Sequence, residues 1–153
     1  HTGAHARQGA TDVCPFVPVA GVSVEECVEL SRRLAERVGE ELGLPVFLYE
    51  FAATRPERRS LADIRKGEYE ALPTKLENPD FAPDYGPAVF VPEFGAMVIG
   101  ARKFLVAYNV NLNTVDKRWH RPWARRGSGM RAKNAGSDSM WLALSMSFGA
   151  PWW

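Results

Sequence analysis

The stretch Ser23–Tyr49, SVEECVELSRRLAERVGEELGLPVFLY, decides the fold of this 153-residue chain. Ser23 followed three residues later by Glu26 is a capping box, which satisfies backbone N–H groups in the first turn of a helix. Apolar residues then recur at helical spacing on one face: Cys27, Leu30, Leu34, Val38 and Leu42. Gly43 ends this pattern, and the apolar run Val46–Tyr49 is typical of a strand. The stretch therefore predicts a helix-to-strand unit whose helix buries that apolar face.

Three further segments predict strands. Asp12–Val19 is apolar, but its two prolines restrict it to the edge of a sheet or to a bulged stretch. Ala96–Gly100 is a short apolar strand, and Phe104–Leu112 places alternate apolar residues on one face. Asn109 and Asn111 share the other face of this last strand. They either face solvent at the end of the strand or contact a ligand, and the sequence leaves both interpretations open.

The segment between the second and third predicted strands is rich in turns. Ser60 is typical of the N-cap of a short helix that ends at Gly67. Asn78–Pro92 contains four prolines, which lack backbone N–H donors, so we expect a long loop there. Long loops within compact domains are often functional.

The composition of the whole chain excludes several classes of protein. The 46% hydrophobic and 24% charged residues are ordinary for a globular domain. We find neither an apolar run long enough to cross a membrane nor a signal peptide, so we predict a cytoplasmic protein without a membrane partner. Cys14 and Cys27 lack the spacing of zinc ligands, so we expect both to be buried apolar residues and predict no metal. Motifs of nucleotide-binding loops, serine hydrolases and zinc proteases are absent from the sequence.

The composition changes near residue 117. Residues 1–116 contain 12 basic and 17 acidic residues, whereas residues 117–153 contain seven basic residues, one acidic residue and all five tryptophans. Because the second segment has no sustained periodicity, we predict a folded domain over 1–116 and an irregular, basic, Trp-rich tail over 117–153. Such a tail could stack on single-stranded nucleic acid. Its aromatic and basic residues are scattered, however, so we favour a loosely docked tail without a nucleic-acid partner.

The glycine-rich N-terminal segment carries the groups best suited to proton transfer. Residues 1–16, HTGAHARQGATDVCPF, include His5, Arg7 and Asp12. An imidazole titrates near neutral pH and can act as a general base or acid. Asp12 is a candidate to orient that imidazole, and Arg7 is a candidate to hold an anionic group. A loop histidine beside an arginine is also a common surface feature, so the residues alone leave both interpretations open.

The run HARQGATDVCPF, His5–Phe16, resembles the signature of the formiminotransferase N-terminal subdomain. The similarity covers most of residues 1–116 and diverges after residue 117. Further matching runs follow in order: Leu48-Tyr49, Arg58-Arg59, Ile64–Glu70, Ala82–Pro87, Gly100–Leu105 and Asn109–Leu112.

The resemblance implies a fold and an activity. The fold is of the α+β class, a mixed β-sheet with helices packed on one face in a ferredoxin-like arrangement, and the N-terminal part of the subdomain is missing from this fragment. The activity is transfer of a formimino group from N-formimino-glutamate to N5 of tetrahydrofolate, in histidine degradation. Tetrahydrofolate is then a co-substrate, the partners are small molecules, and further copies of the chain are a possible partner because members of the family are commonly oligomeric.

The resemblance also assigns site residues. It implies that His5 is the catalytic acid/base. It places the folate contacts on ten consecutive residues: Gly86, Pro87, Ala88, Val89, Phe90, Val91, Pro92, Glu93, Phe94 and Gly95. Ala6 and Gln8 stand where the family usually has proline and methionine or isoleucine. A non-catalytic folate-binding remnant and an inactive truncated product are the alternatives to a working transferase.

Overall fold

The structure is a computed structural model that describes residues 7–112, 131–134 and 140–147, with side chains up to residue 105. The chain divides into two compact units, His1–Arg102 and Lys103–Trp153. The described part of the first unit contains three strands and three α-helices: β1 (Val13–Phe16), α1 (Val24–Glu41), β2 (Val46–Glu50), α2 (Leu61–Ile64), α3 (Leu72–Leu76) and β3 (Met97–Ala101). Short 3₁₀ turns lie at Pro56–Arg58, Tyr69–Ala71 and Pro79–Phe81. The predicted α+β class is confirmed.

The sheet of the first unit is parallel, with β3 between β1 and β2. Two apolar clusters cover its two faces. The first contains α1 and includes Ala35, Val38, Leu44, Val46, Leu48, Ala52 and Ile99. The second contains α2 and α3 and includes Phe47, Tyr49, Ile64, Leu72, Leu76, Ala96 and Val98.

The architecture differs from the prediction in two details. The three described strands of this unit are all parallel rather than mixed, and helices cover both faces of the sheet rather than one. The physical reason is visible in β2, where Val46, Phe47, Leu48 and Tyr49 are all buried. A strand that is apolar on both faces needs cover on both sides, as parallel strands usually do.

Helix α1 begins at the predicted capping box. Ser23 Oγ accepts from the Glu26 backbone N–H at 3.1 Å, and a Glu26 carboxylate oxygen accepts from the Ser23 N–H at 2.7 Å. These bonds lower the pKa of Glu26. Gly43 follows the helix with a φ of +62°, which suits a glycine.

The buried face of α1 is rotated relative to the predicted one. The buried residues are Cys27, Ser31, Ala35, Val38 and Gly39. Two leucines assigned to the buried face, Leu30 and Leu42, are 43% and 65% exposed. The small residues let the helix lie close to its neighbours, since a Cβ atom built on Gly39 would stand 2.6 Å from the backbone nitrogen of Gly86. Close approach therefore decides which stripe of the helix is buried.

Strand β1 and the two cysteines agree largely with the predictions. β1 is an end strand of the described sheet and contains Pro15. Cys27 is buried as predicted, whereas Cys14 is only partly buried, and both are free thiols. Burial raises the pKa of Cys14.

The Lys75 ammonium group binds backbone carbonyls at the end of α2 and just after it. This helix begins at the predicted N-cap, where Ser60 Oγ accepts from the Asp63 N–H at 3.3 Å. Lys75 Nζ donates to the carbonyl oxygens of Ile64 at 2.7 Å and Lys66 at 2.9 Å. Burial lowers the pKa of Lys75 from its ordinary 10.5 to about 8. The segment after α2 is thus tied to α3.

A buried ion pair lies where the predicted loop Asn78–Pro92 is bonded to β2. Arg58 Nη1 lies 2.5 Å from an Asp84 carboxylate oxygen, and the two side chains are only 4% and 6% exposed. Asp84 also accepts from the backbone N–H of Leu48 at 2.8 Å and from the Thr54 hydroxyl. Because the Arg58 and Asp84 side chains are almost completely removed from bulk water, the pair and the bond to Leu48 hold the middle of the predicted loop Asn78–Pro92 against β2.

The second unit contains an antiparallel sheet in the order β4, β6, β5. Its strands are β4 (Leu105–Leu112), β5 (Arg131–Asn134) and β6 (Met140–Ser147). Asn109 and Asn111 lie in the predicted strand β4, paired with Ala143 and Trp141 of β6. β5 and β6 lie in the segment for which we predict an irregular tail. The alternating sequence of β6, MWLALSMS, fits a strand and accounts for the difference. The boundary at residue 116 stays a prediction.

Within the described residues, no helix combines the length and the apolar character needed to cross a membrane.

Candidate active site

Two loops of the first unit meet at the start of β3. The N-terminal loop, residues 7–12, and the proline-rich loop, residues 86–95, form an isolated β-bridge between Gly9 and Gly95. The Ala10 N–H donates to the Phe94 carbonyl at 2.9 Å, and the Ala96 N–H donates to the Gln8 carbonyl at 2.9 Å. The segment that directly follows His5 is therefore bonded to the segment to which the resemblance assigns folate contacts.

This close approach requires glycine on both sides. A Cβ atom built on Gly9 would lie 2.2 Å from the Phe94 carbonyl oxygen, and one built on Gly95 would lie 2.2 Å from the Gln8 carbonyl oxygen. Gly95 also has a φ of +69°, in the left-handed region that side chains disfavour. The two glycines are thus the positions at which the loops touch.

The last residue of α2, Ile64, and the residue after it, Arg65, hold the N-terminal loop in place. Gln8 is fully buried, and its side-chain N–H donates to the Ile64 carbonyl at 2.6 Å. The Asp12 carboxylate accepts from the Gln8 backbone N–H at 2.9 Å and forms an ion pair with Arg65. Asp12 has a φ of +59°, which an Asp tolerates better than most residues do. These bonds fix the loop immediately after the position of His5 in the sequence.

Arg7 connects the same loop to two carboxylates. Its guanidinium lies 2.6 Å from Glu70 and 3.9 Å from Glu68, and it stacks over the Tyr69 ring with 5.6 Å to the centroid. The backbone N–H of Glu70 and the side chain of Arg7 lower the pKa of the Glu70 carboxyl. The anionic groups that Arg7 contacts in the structure are thus carboxylates of this chain, those of Glu68 and Glu70.

The proline-rich loop is anchored on one side and open on the other. Tyr69 donates its hydroxyl to the Pro92 carbonyl at 2.6 Å, and its ring lies 5.4 Å from that of Phe90. Phe90 packs against the buried core. Val89 and Phe94, in contrast, are 59% and 55% exposed. A backbone held at several points and two exposed apolar side chains suit a flat, partly apolar ligand.

The predicted site residues meet different outcomes. His5 lies outside the described residues, so its catalytic role stays a prediction, as do the folate contacts of Gly86–Gly95. Asp12 is bonded to Gln8 and to Arg65, so it stabilises the conformation of the N-terminal loop. Sequence reasoning assigned no role to Arg65, although the resemblance included its run. In the part of the chain that the structure describes, no group of three or more His, Cys, Asp or Glu side chains could hold a metal.

The first unit is a small α+β domain in which two glycine-containing loops are bonded to each other at the start of β3. The family described as "Formiminotransferase domain, N-terminal subdomain" matches residues 1–102 of the chain. The chain belongs to this family.

Named relatives carry the same similarity. A glutamate formimidoyltransferase from Streptococcus pyogenes serotype M1 is 56% identical over 114 residues, which are 74% of this chain and 38% of the relative. The formimidoyltransferase-cyclodeaminase of Gallus gallus is 56% identical over 121 residues, 79% of this chain and 22% of the relative. A glutamate formimidoyltransferase from Thermoplasma acidophilum is 50% identical over 138 residues, 89% of this chain and 44% of the relative. The chain thus spans less than half the length of each of these relatives.

Proposed function

We propose that this chain carries the acid/base and the folate loop of the active site of a folate-dependent glutamate formimidoyltransferase. The observation that carries the proposal is the direct bonding of loop 7–12 to loop 86–95, through the Gly9–Gly95 bridge. His5 precedes the first loop, and the second loop is the proposed folate site. The bonding supports the proposal because the residues that follow His5 in the sequence lie next to the proposed folate loop.

The proposed reaction needs two proton transfers at one place. N5 of tetrahydrofolate attacks the formimino carbon of N-formimino-glutamate, and a new C–N bond forms. N5 then loses a proton, and the glutamate nitrogen gains one as its bond to the same carbon breaks. A single imidazole at His5 takes the first proton and supplies the second, because an imidazole ordinarily titrates near neutral pH.

The proposed folate loop offers contacts that fit a pterin ring. Val89 and Phe94 are exposed and apolar, and they present area that a flat ring would bury. The neighbouring backbone is fixed through Tyr69 and through the Gly95 N–H, which donates to the Val91 carbonyl at 2.6 Å. A fixed loop loses little conformational freedom on binding, so more of the contact energy appears as affinity.

Replacing Phe94 with serine tests the folate loop. We expect the Kd for a stable reduced folate to rise about tenfold, because an exposed ring that the pterin covers is lost. The free energy of unfolding should hardly change, since Phe94 is 55% exposed. Titration followed by intrinsic fluorescence or calorimetry measures the effect.

The matched control is Val19→Ser, which removes an apolar side chain that is 74% exposed and lies outside the loop. It should leave the Kd unchanged. Equal affinities for the two variants, or a wild-type chain that does not bind reduced folate, would refute the assignment of the loop.

The remaining expectations extend the proposal. Family membership supports small-molecule substrates, and we propose tetrahydrofolate as co-substrate, a cytoplasmic location and histidine degradation as the setting. Association into homo-oligomers and the lack of a nucleic-acid partner stay predictions.

A further inference from the structure

A tyrosine lies across the central strand near the carboxyl ends of the sheet. Tyr49 is the penultimate residue of β2 and pairs with Gly100 of β3. A Cβ atom built on Gly100 would lie 2.6 Å from Cδ1 and 3.0 Å from Cε1 of the Tyr49 ring. Because glycine has no side chain, Gly100 leaves room for the Tyr49 ring. Arg102 directly follows β3 and lies two residues after Gly100, so its side chain continues on the same face as the ring.

The polar ends of these two side chains lie near each other, but neither forms a hydrogen bond of normal geometry. Tyr49 is 3% exposed, and neither its hydroxyl oxygen nor Arg102 Nη1 has a hydrogen-bond partner, although both atoms are buried. Among the described residues we find no ion pair of Arg102. Buried polar groups are nearly always hydrogen-bonded, so two neighbouring exceptions indicate a missing partner.

The charges around this point favour an anion. Burial raises the pKa of Tyr49, while the nearby cations Arg102 and Arg65 act in the opposite direction. Arg102 is near enough for a polar contact with the hydroxyl but does not form a hydrogen bond of normal geometry. The exposed Glu50 is the opposing negative charge. In open sheets with parallel strands, ligands bind outside the carboxyl ends of the strands, which is where Arg102 lies.

We propose that Arg102 and Tyr49 bind a carboxylate of a glutamate group. The identity of the ligand rests on the proposed function, in which both substrates contain glutamate. One source is the amino-acid donor and its product, free glutamate. The other is the glutamyl tail of the folate. A guanidinium and a phenol hydroxyl supply the two or three donors that a carboxylate oxygen pair accepts.

Titration of the intact chain with free L-glutamate tests the first source. Arg102→Met should weaken binding roughly tenfold or more, and Tyr49→Phe should weaken it a few-fold, since hydrogen bonds to charged groups contribute most. The control Arg59→Met removes an exposed arginine from another part of the unit and should leave the affinity unchanged. The titration contains no folate and needs no turnover, so it stands even if the proposed folate loop fails.

Titration with a reduced folate and with the same reduced pterin lacking its glutamyl tail tests the second source. If the tail is the ligand, Arg102→Met weakens the folate but not the tailless pterin. A change in either titration confirms the subsite and names its source.

Unchanged affinities in both titrations would overturn the proposal, as would equal losses in Arg59→Met. Circular dichroism checks that the variants fold. Tyr49→Phe removes only one unpartnered oxygen and keeps the core filled, so it decides the outcome if Arg102→Met does not fold.

Discussion

Replacing Gly95 with alanine is expected to lower the free energy of unfolding of the chain by about 2–5 kcal/mol. A left-handed backbone costs a residue with a side chain about 1–2 kcal/mol, and overpacking adds about 1–3 kcal/mol. Both apply here, because Gly95 has a φ of +69° and its new Cβ would lie 2.2 Å from the Gln8 carbonyl oxygen. That neighbour is backbone and can give way only if the two loops separate. Urea unfolding followed by far-ultraviolet circular dichroism measures the loss.

Gly43→Ala is the matched control for this substitution. Gly43 has a similar φ of +62°, but nothing lies within 4 Å of a Cβ built there. Only the conformational cost of about 1–2 kcal/mol should appear. The difference between the two variants therefore measures the contact between loops 7–12 and 86–95. Equal losses would mean that the loops do not touch as described.

Removing the buried carboxylate of Asp84 is expected to be similarly severe. Asp84→Ala leaves the Arg58 guanidinium, whose side chain is 4% exposed, without its charged partner. Breaking a buried ion pair from one side costs about 3–5 kcal/mol. The Leu48 N–H and the Thr54 hydroxyl lose their acceptor as well. The free energy of unfolding, again from urea denaturation, gives the magnitude.

Two further variants separate the charge from other effects of the substitution. Glu41→Ala breaks the exposed Arg37–Glu41 pair on α1, whose side chains are 70% and 57% exposed, and should have a far smaller effect. Asp84→Asn keeps the shape and one acceptor oxygen, so its loss should lie between those of Asp84→Ala and Glu41→Ala. If Asp84→Ala destabilises no more than Glu41→Ala does, the pair is not buried in solution.

Features fixed by neighbouring residues could be predicted from the sequence. The capping box of Ser23 and Glu26 and the N-cap of Ser60 depend on contacts three residues apart, and both are present. The rotation of α1 could not be predicted in the same way. Periodicity finds an apolar stripe, but the small residues Ala35 and Gly39 face the rest of the unit, and only the packed structure reveals this.

The candidate site illustrates the same limit. Glycines and a histidine in the N-terminal segment indicate a functional loop, and resemblance adds the folate loop. The bonds that join these loops connect residues far apart in the chain, such as the Arg65–Asp12 pair and the hydrogen bond from Tyr69 to Pro92. No local pattern predicts such pairs. Strand β6 was missed for a different reason: residues 117–153 show no sustained periodicity as a whole, and the alternation is confined to the eight residues of β6.

The central claim is that His5 transfers protons in formimino transfer, and turnover by the intact chain tests it most directly. The assay supplies N-formimino-glutamate and tetrahydrofolate and follows formation of 5-formimino-tetrahydrofolate, with His5→Ala measured alongside. The account predicts turnover by the wild-type chain and a loss of about 100-fold or more in His5→Ala, with the Kd for reduced folate unchanged. A wild-type chain that binds reduced folate without turnover, or a His5→Ala variant that keeps the wild-type rate, would contradict it.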